Sequence, residues 1–262
     1  MQDKKDIFKL EGRDCLVTRQ QLQIQFLMKS SENLEMLDNS SILSFEELYG
    51  YGYKLCIHKH GDMLYNGVVE TIRAHLEESV IKIAAAPSET LLEILKEAWD
   101  QYKLAIGNVK DILMYMDRTY VKTYRKSTVY TMALTLFRHV VIYNDNVRPR
   151  LKSILLENVR LERGGQLIDR DMMKSISYML VELSAGSHDS CYVEEFEDEF
   201  LAETASYYKQ ESQNYIVQCT CPDYVKKAQN RLKEEEIRAI SYLAPGSLEK
   251  LLNVVECELI TT

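Results

Sequence analysis

The stretch SETLLEILKEAWDQYKLAIGNVKDILMYMDRTY, residues 88–120, decides the fold class. Leu91, Leu95, Ala98, Tyr102, Val109, Ile112, Met116 and Tyr120 recur at helical spacing, and nothing in the stretch alternates as a half-buried strand would. Pro87 stands before it and Ser88 occupies a cap position. Gly107 is the one break the pattern suggests, so the stretch reads as one very long helix or two nearly collinear ones.

On the N-terminal side, 61–86 places Leu64, Val68, Ile72 and Leu76 on one helical stripe that Pro87 must end. Before it comes LSFEELYGYGYKLCIHKHG, residues 43–61. Ser44 with Glu47 makes a capping box and predicts a helix start. At about 100° per residue, Phe45, Tyr49, Tyr53 and Cys56 share one stripe, and Leu48 and Leu55 share a second. The two stripes are either one wide buried face or two faces with two partners, one of them outside the chain. Gly50 and Gly52 each cost about 1 kcal/mol relative to Ala inside a helix, so packing must hold this helix. Residues 1–40 are charged and aperiodic at first, with a short helix expected in QQLQIQFLMKSSENLEML.

On the C-terminal side, a polar joint at Arg125, Lys126 and Ser127 precedes a second set of helices. Residues 127–144 are apolar nearly all round and are expected to be central. Residues 148–163 are amphipathic and close on Gly164 and Gly165. Residues 169–183 follow, with Met172, Ile176, Met179, Leu180 and Leu183 on one stripe. Residues 192–218 carry Phe196, Phe200, Tyr207 and Tyr215, residues 221–243 open near Pro222, and a last helix begins after Pro245 and Gly246. With only 10 Gly and 4 Pro in 262 residues, the class is all-α. About five helices before residue 125 and five after it predict helical repeats laid end to end.

Thirty-two basic and 40 acidic residues give a net charge of −8, with no sustained basic run, which argues against nucleic-acid binding. No apolar run is long enough to span a membrane, and no leader sequence is evident. The six cysteines form neither a disulfide framework nor a zinc pattern, which predicts a cytoplasmic or nuclear protein with reduced thiols. His58 and His60 point in different directions on a helix, and Cys219 and Cys221 are too close for a structural zinc site, so no metal or cofactor is expected. The acidic run from Glu194 to Glu199 reads as a solvated face. No nucleophile elbow, phosphate loop or dinucleotide fingerprint is present, so an enzyme is not expected and binding or scaffolding remains.

Several motifs in register carry a resemblance. They are LSFEELY with Tyr53 and IHKHG, DILMYMDRTYV at 111–121, LFRHVV at 136–141, LIDRDMMKS at 167–175, YVEEFEDEFLAETASYYKQES at 192–212 and YVKKAQNRLKEEEIRA at 224–239. In this order and spacing they resemble the N-terminal half of a cullin, most of all the cullin-3 type, which recruits BTB-domain adaptors. The resemblance implies a non-catalytic scaffold of a ubiquitin ligase, built as an elongated stalk of five-helix cullin repeats. It implies a divergent segment at 1–40, the rest of a first repeat at 41–124, a second repeat at 125–244 and the start of a third at 245–262. It further implies that the second and fifth helices of the first repeat dock a BTB-type substrate adaptor through Phe45, Glu46, Tyr49, Tyr53, Tyr115 and Arg118.

The first forty residues do not resemble the family's N-terminus, and Gly50 and Gly52 replace better helix formers. The chain stops at Thr262, so the part of a cullin that receives the RING subunit is expected to be missing, and a RING partner is expected only if a further C-terminal half exists. Two other readings are a truncated or divergent cullin that competes for adaptors and a helical-repeat tether unrelated to ubiquitin.

Overall fold

The computed structural model describes residues 45–185, 190–218 and 220–260, and every regular element among them is helical. The helix expected in 20–37, Ser44 of the capping box, Cys219 and the side chains of Phe45 and Glu47 lie outside the described residues.

Packing divides the chain into two units. One holds the described residues 45–86 together with Glu97–Asn144, the other Pro87–Lys96 with the described residues from Asp145 onward. In the first unit, α1 (Phe45–Ile57) and α2 (Gly61–Ala85) are joined by a tight turn. Lys59 enters the left-handed region at φ 62°, and the His60 amide donates back to the Leu55 carbonyl at 2.9 Å, closing α1 without a glycine. α3 (Leu91–Ile112) begins past Ser88: the Ile94 amide donates to the Thr90 carbonyl, so Thr90, not Ser88, precedes the first turn.

The break expected at Gly107 lies elsewhere. Gly107 is mid-helix and open on its Cα side, whereas Leu113, at φ −97° and ψ 14°, separates α3 from α4. In α4 (114–124), Met114–Met116, a wide π-helical turn Asp117–Val121 and Lys122–Tyr124 follow one another directly. Arg125, left-handed at φ 50°, ends α4 at the polar joint.

Helix α5 (Val129–Phe137) continues into a second π stretch, Arg138–Ile142. The Thr128 hydroxyl accepts from the Thr131 amide at its start, and the Asp117 carboxylate accepts from the Val129 amide at 3.0 Å. As its composition predicts, α5 is central: Val129, Ala133, Leu134 and Phe137 are buried. The Trp99 ring meets the Phe137 ring edge-on at 5.0 Å, and the buried Tyr102 hydroxyl donates to the Ala133 carbonyl at 2.8 Å.

The second unit contains α6 (Arg148–Arg163), α7 (Arg170–Glu182), α8, which opens as a π turn Val193–Glu197 and runs on as Asp198–Gln218, α9 (Cys221–Tyr242) and α10 (Ser247–Ile260). Gly164 and Gly165 close α6 as the pattern predicts, with Gly165 at φ 84° and the Gln166 amide donating to the Leu161 carbonyl. The Asp169 carboxylate caps α7 through the Met172 amide. On α7 the buried methionines are Met173 and Met179, and Met172 stays half-exposed. On α8, Tyr208 is buried in place of Tyr207.

The acidic run is the solvated face that its composition suggests only in part: Glu194, Asp198 and Glu199 are exposed, but the two acids between them are not. Glu195 is 1% exposed and Glu197 2% exposed. Arg148 holds Glu195 through both carboxylate oxygens, with Nε donating at 3.0 and 2.8 Å, and Lys152 lies 3.6 Å away. Glu197 accepts from the Ser247 hydroxyl and from Lys250, each at 2.6 Å, and so ties α10 to α8. A carboxylate enters a helical core only with such partners.

Candidate functional site

The site expected from the sequence lies wholly in the first unit, on α1 and α4. Leu48 and Leu55 go into the core at 7% and 1% exposure, which fixes the rotation of α1. That rotation leaves Tyr49 half-buried and turns Tyr53 outward at 39% exposure, so the tyrosine stripe is not part of the core. α1 packs on both α2 and the Met114–Met116 turn of α4.

Across that contact the Tyr53 and Tyr115 rings lie 4.6 Å apart, tilted by 59°, and Tyr49 stacks 6.4 Å behind Tyr53. Three tyrosines from two helices thereby form one partly exposed aromatic surface. Glu46 and Arg118 are exposed on the same two helices, and neither has an ion-pair partner among the described residues. Phe45 opens α1, and its side chain lies outside the described residues.

Two neighbours escaped the sequence reading. Ile57, 48% exposed, is one helical step beyond Tyr53, and Met114, 38% exposed, adjoins Tyr115. The first was legible as the continuation of the 49–53 spacing. The second was not, because only the break at Leu113 sets which way Met114 faces.

One turn further along both helices, Cys56, Lys59, Gly61, Asp62, Thr119, Tyr120, Thr123 and Tyr124 line a hollow of about 450 Å³. Gly61 makes this crossing possible: a Cβ there would sit 2.6 Å from the Tyr120 ring. Burial pushes the Cys56 thiol up to about 11, with a hydrogen bond to Thr119 pulling weakly the other way. The thiol is therefore protonated near neutral pH and poorly nucleophilic. Among the described residues no group of His, Cys, Asp and Glu is arranged to hold a metal, and no helix is long and apolar enough to cross a membrane. Large aromatic area with phenolic hydroxyls, flanked by exposed charges of both signs, suits protein recognition.

Residues 24–262 match the family model described as the cullin alpha solenoid domain. The chain is 42% identical over 222 residues to Cullin-3B of Arabidopsis thaliana, which covers 85% of this chain and 30% of that protein. It is 40% identical over 235 residues to Cullin-3 of Dictyostelium discoideum, 90% of this chain and 30% of that one. Cullin-3 of Caenorhabditis elegans is 32% identical over 236 residues, again with 30% of its length covered. The chain thus spans 30% of the length of these relatives. With a family match over all of its described helices, the chain belongs to the cullin family.

Proposed function

We propose that this chain is the adaptor-holding part of a non-catalytic ubiquitin-ligase scaffold in the cytoplasm or nucleus. A BTB-type substrate adaptor docks on the first repeat, residues 41–124, through Tyr49, Tyr53 and Tyr115, with Glu46 and Arg118 fixing its orientation and Phe45 at the edge. The observation that carries this reading is the 4.6 Å packing of Tyr53 on Tyr115, which makes one partly exposed aromatic surface from two helices of a cullin-family chain. Half-exposed tyrosines cost little stability where they stand and gain most when a partner desolvates them.

The test is titration of a BTB domain from an adaptor onto the purified chain and onto the Tyr49→Ala/Tyr53→Ala double variant. Loss of a buried aromatic anchor costs about 2 kcal/mol or more, so the double variant is expected to bind at least about 100-fold more weakly. Its helical circular dichroism should be unchanged, because Leu48 and Leu55 still hold α1. Equal affinity of the two proteins would remove these residues from the interface.

A further inference from the structure

The second unit carries a hollow that the docking reading does not use. It holds about 470 Å³ between the start of α3, the middle of α6 and the start of α7. Leu92, Ile154, Leu161, Met172 and Met173 supply its apolar floor. Its rim is acidic: Glu89, Glu93, Glu157 and Asp169 line it, and no Lys, Arg or His does.

Two of these four carboxylates are spent within the fold. Glu157 shares Arg160 at 3.2 Å, and Asp169 caps α7. Glu89 and Glu93 are exposed, and neither has an ion-pair partner among the described residues. Glu89 stands in the turn just before α3 and Glu93 in its first turn, both on the rim of the one hollow, so a partner lying in it meets both. The two methionines are flexible enough to repack around an incoming apolar side chain.

We propose that this groove docks a basic amphipathic helix of a partner protein, which sets aliphatic or aromatic side chains on the Met172–Leu92 floor and lysines or arginines against Glu89 and Glu93. The charge pattern selects the occupant. An acidic segment would add to a rim that already carries uncompensated negative charge, and a neutral apolar one would leave Glu89 and Glu93 desolvated without partners. The site shares no residue with the tyrosine surface on α1 and α4, so the two succeed or fail separately.

The probe is a fluorescein-labelled 18-residue peptide of leucine and lysine in helical amphipathic order, titrated onto the full chain by anisotropy, beside a peptide with glutamate in place of lysine and one of the same composition in scrambled order. Saturable binding of the first peptide alone is expected, with chemical-shift changes at the 13C-labelled methyls of Met172 and Met173. Glu89→Lys/Glu93→Lys should weaken it at least about tenfold, because rim charges facing a basic partner turn from attraction to repulsion. The same charge change at the exposed Asp198 and Glu199, away from the groove, should leave affinity within about twofold. Equal weakening by both pairs would mean general attraction to an acidic protein, and binding of all three peptides or silent Met172 and Met173 methyls would mean another site. Either result overturns the proposal.

Discussion

Glu235 has no exposed surface, yet it is the centre of a charged cluster. Arg163 donates to it at 3.0 Å while facing the rings of Phe200, Tyr207 and Tyr208, the Tyr208 hydroxyl donates at 2.6 Å, and Arg238 bridges it to Glu162. Burial alone would push the carboxyl of Glu235 up, but the guanidinium of Arg163 and then that of Arg238 outweigh it and hold the group below its ordinary 4.5. The same contest, between burial and hydrogen bonds from Arg238 and Arg170, leaves Glu162 lowered as well. Glu235→Ala strips two enclosed guanidiniums of their shared carboxylate and is expected to cost about 3–5 kcal/mol in urea unfolding at pH 7. A loss under about 1 kcal/mol would show that water or Glu162 replaces it. The pH dependence has a definite sign. A carboxyl whose folded pKa is depressed gives its full stabilisation above the unfolded value near 4.5 and loses it as pH falls through the folded value. Stability of the natural chain should therefore fall steadily on acidification below about pH 4.5, with a shallower fall in the Glu235→Ala variant. None of this was legible from the run of acids around Glu195 and Glu197 or from the EEE at 234–236. A carboxylate looks solvated in sequence until its cation is located, and Arg148 and Lys250 lie 47 and 53 residues from the acids they hold.

At the scale of elements, periodicity located the helices well because burying one stripe is what makes each of them stable. It failed where the backbone departs from the α register. The π turns at Asp117–Val121, Arg138–Ile142 and Val193–Glu197 add a residue to a turn without changing the apolar pattern enough to be noticed. The break at Leu113 is likewise set by packing, since leucine is a good helix former, whereas Gly107, the local suspect, stays helical. The glycines test this account directly. A Cβ at Gly50 or Gly107 meets no atom within 4 Å, so Gly50→Ala and Gly107→Ala should each stabilise the chain by up to about 1 kcal/mol. Gly61→Ala drives a methyl to 2.7 Å or less from two Tyr120 ring carbons and should cost about 1–3 kcal/mol. Thermal unfolding of the three variants would order them, and a neutral Gly61→Ala would mean that α4 moves freely against α2. Gly50→Ala has a second use: raised stability with unchanged affinity for a BTB domain would show that the glycine weakens α1 without shaping the proposed docking surface.

For the whole chain, the sequence made the helical class and the family legible, and it brought Tyr53 and Tyr115 to one surface only through the resemblance. Periodicity separated the leucine stripe of α1 from the tyrosine stripe but could not say whether the tyrosines faced a partner or joined the leucines in one wide buried face. The two packed units were less visible, because α3 reads as one continuous pattern. Its first leucines, Leu91, Leu92 and Leu95, belong to the second unit, and Trp99, Tyr102 and Ile106 belong to the first. A cut after Asn144 therefore treats the units unequally. The fragment 1–144 keeps every residue of the first unit. The fragment 145–262 lacks Pro87–Lys96 and with it buried side chains of its own core. Missing core leucines cost about 2–5 kcal/mol each, enough to consume much of the stability of a domain. The second fragment is thus expected to lose cooperative unfolding by circular dichroism, and a fragment starting at residue 87 to regain it. The fragment 1–144 should bind a BTB domain within about twofold of the full chain, since distant independent sites are nearly additive. Should it stay folded but bind tenfold more weakly, part of the adaptor contact would lie on the second unit, and the tyrosine surface of α1 and α4 would be only one portion of the interface.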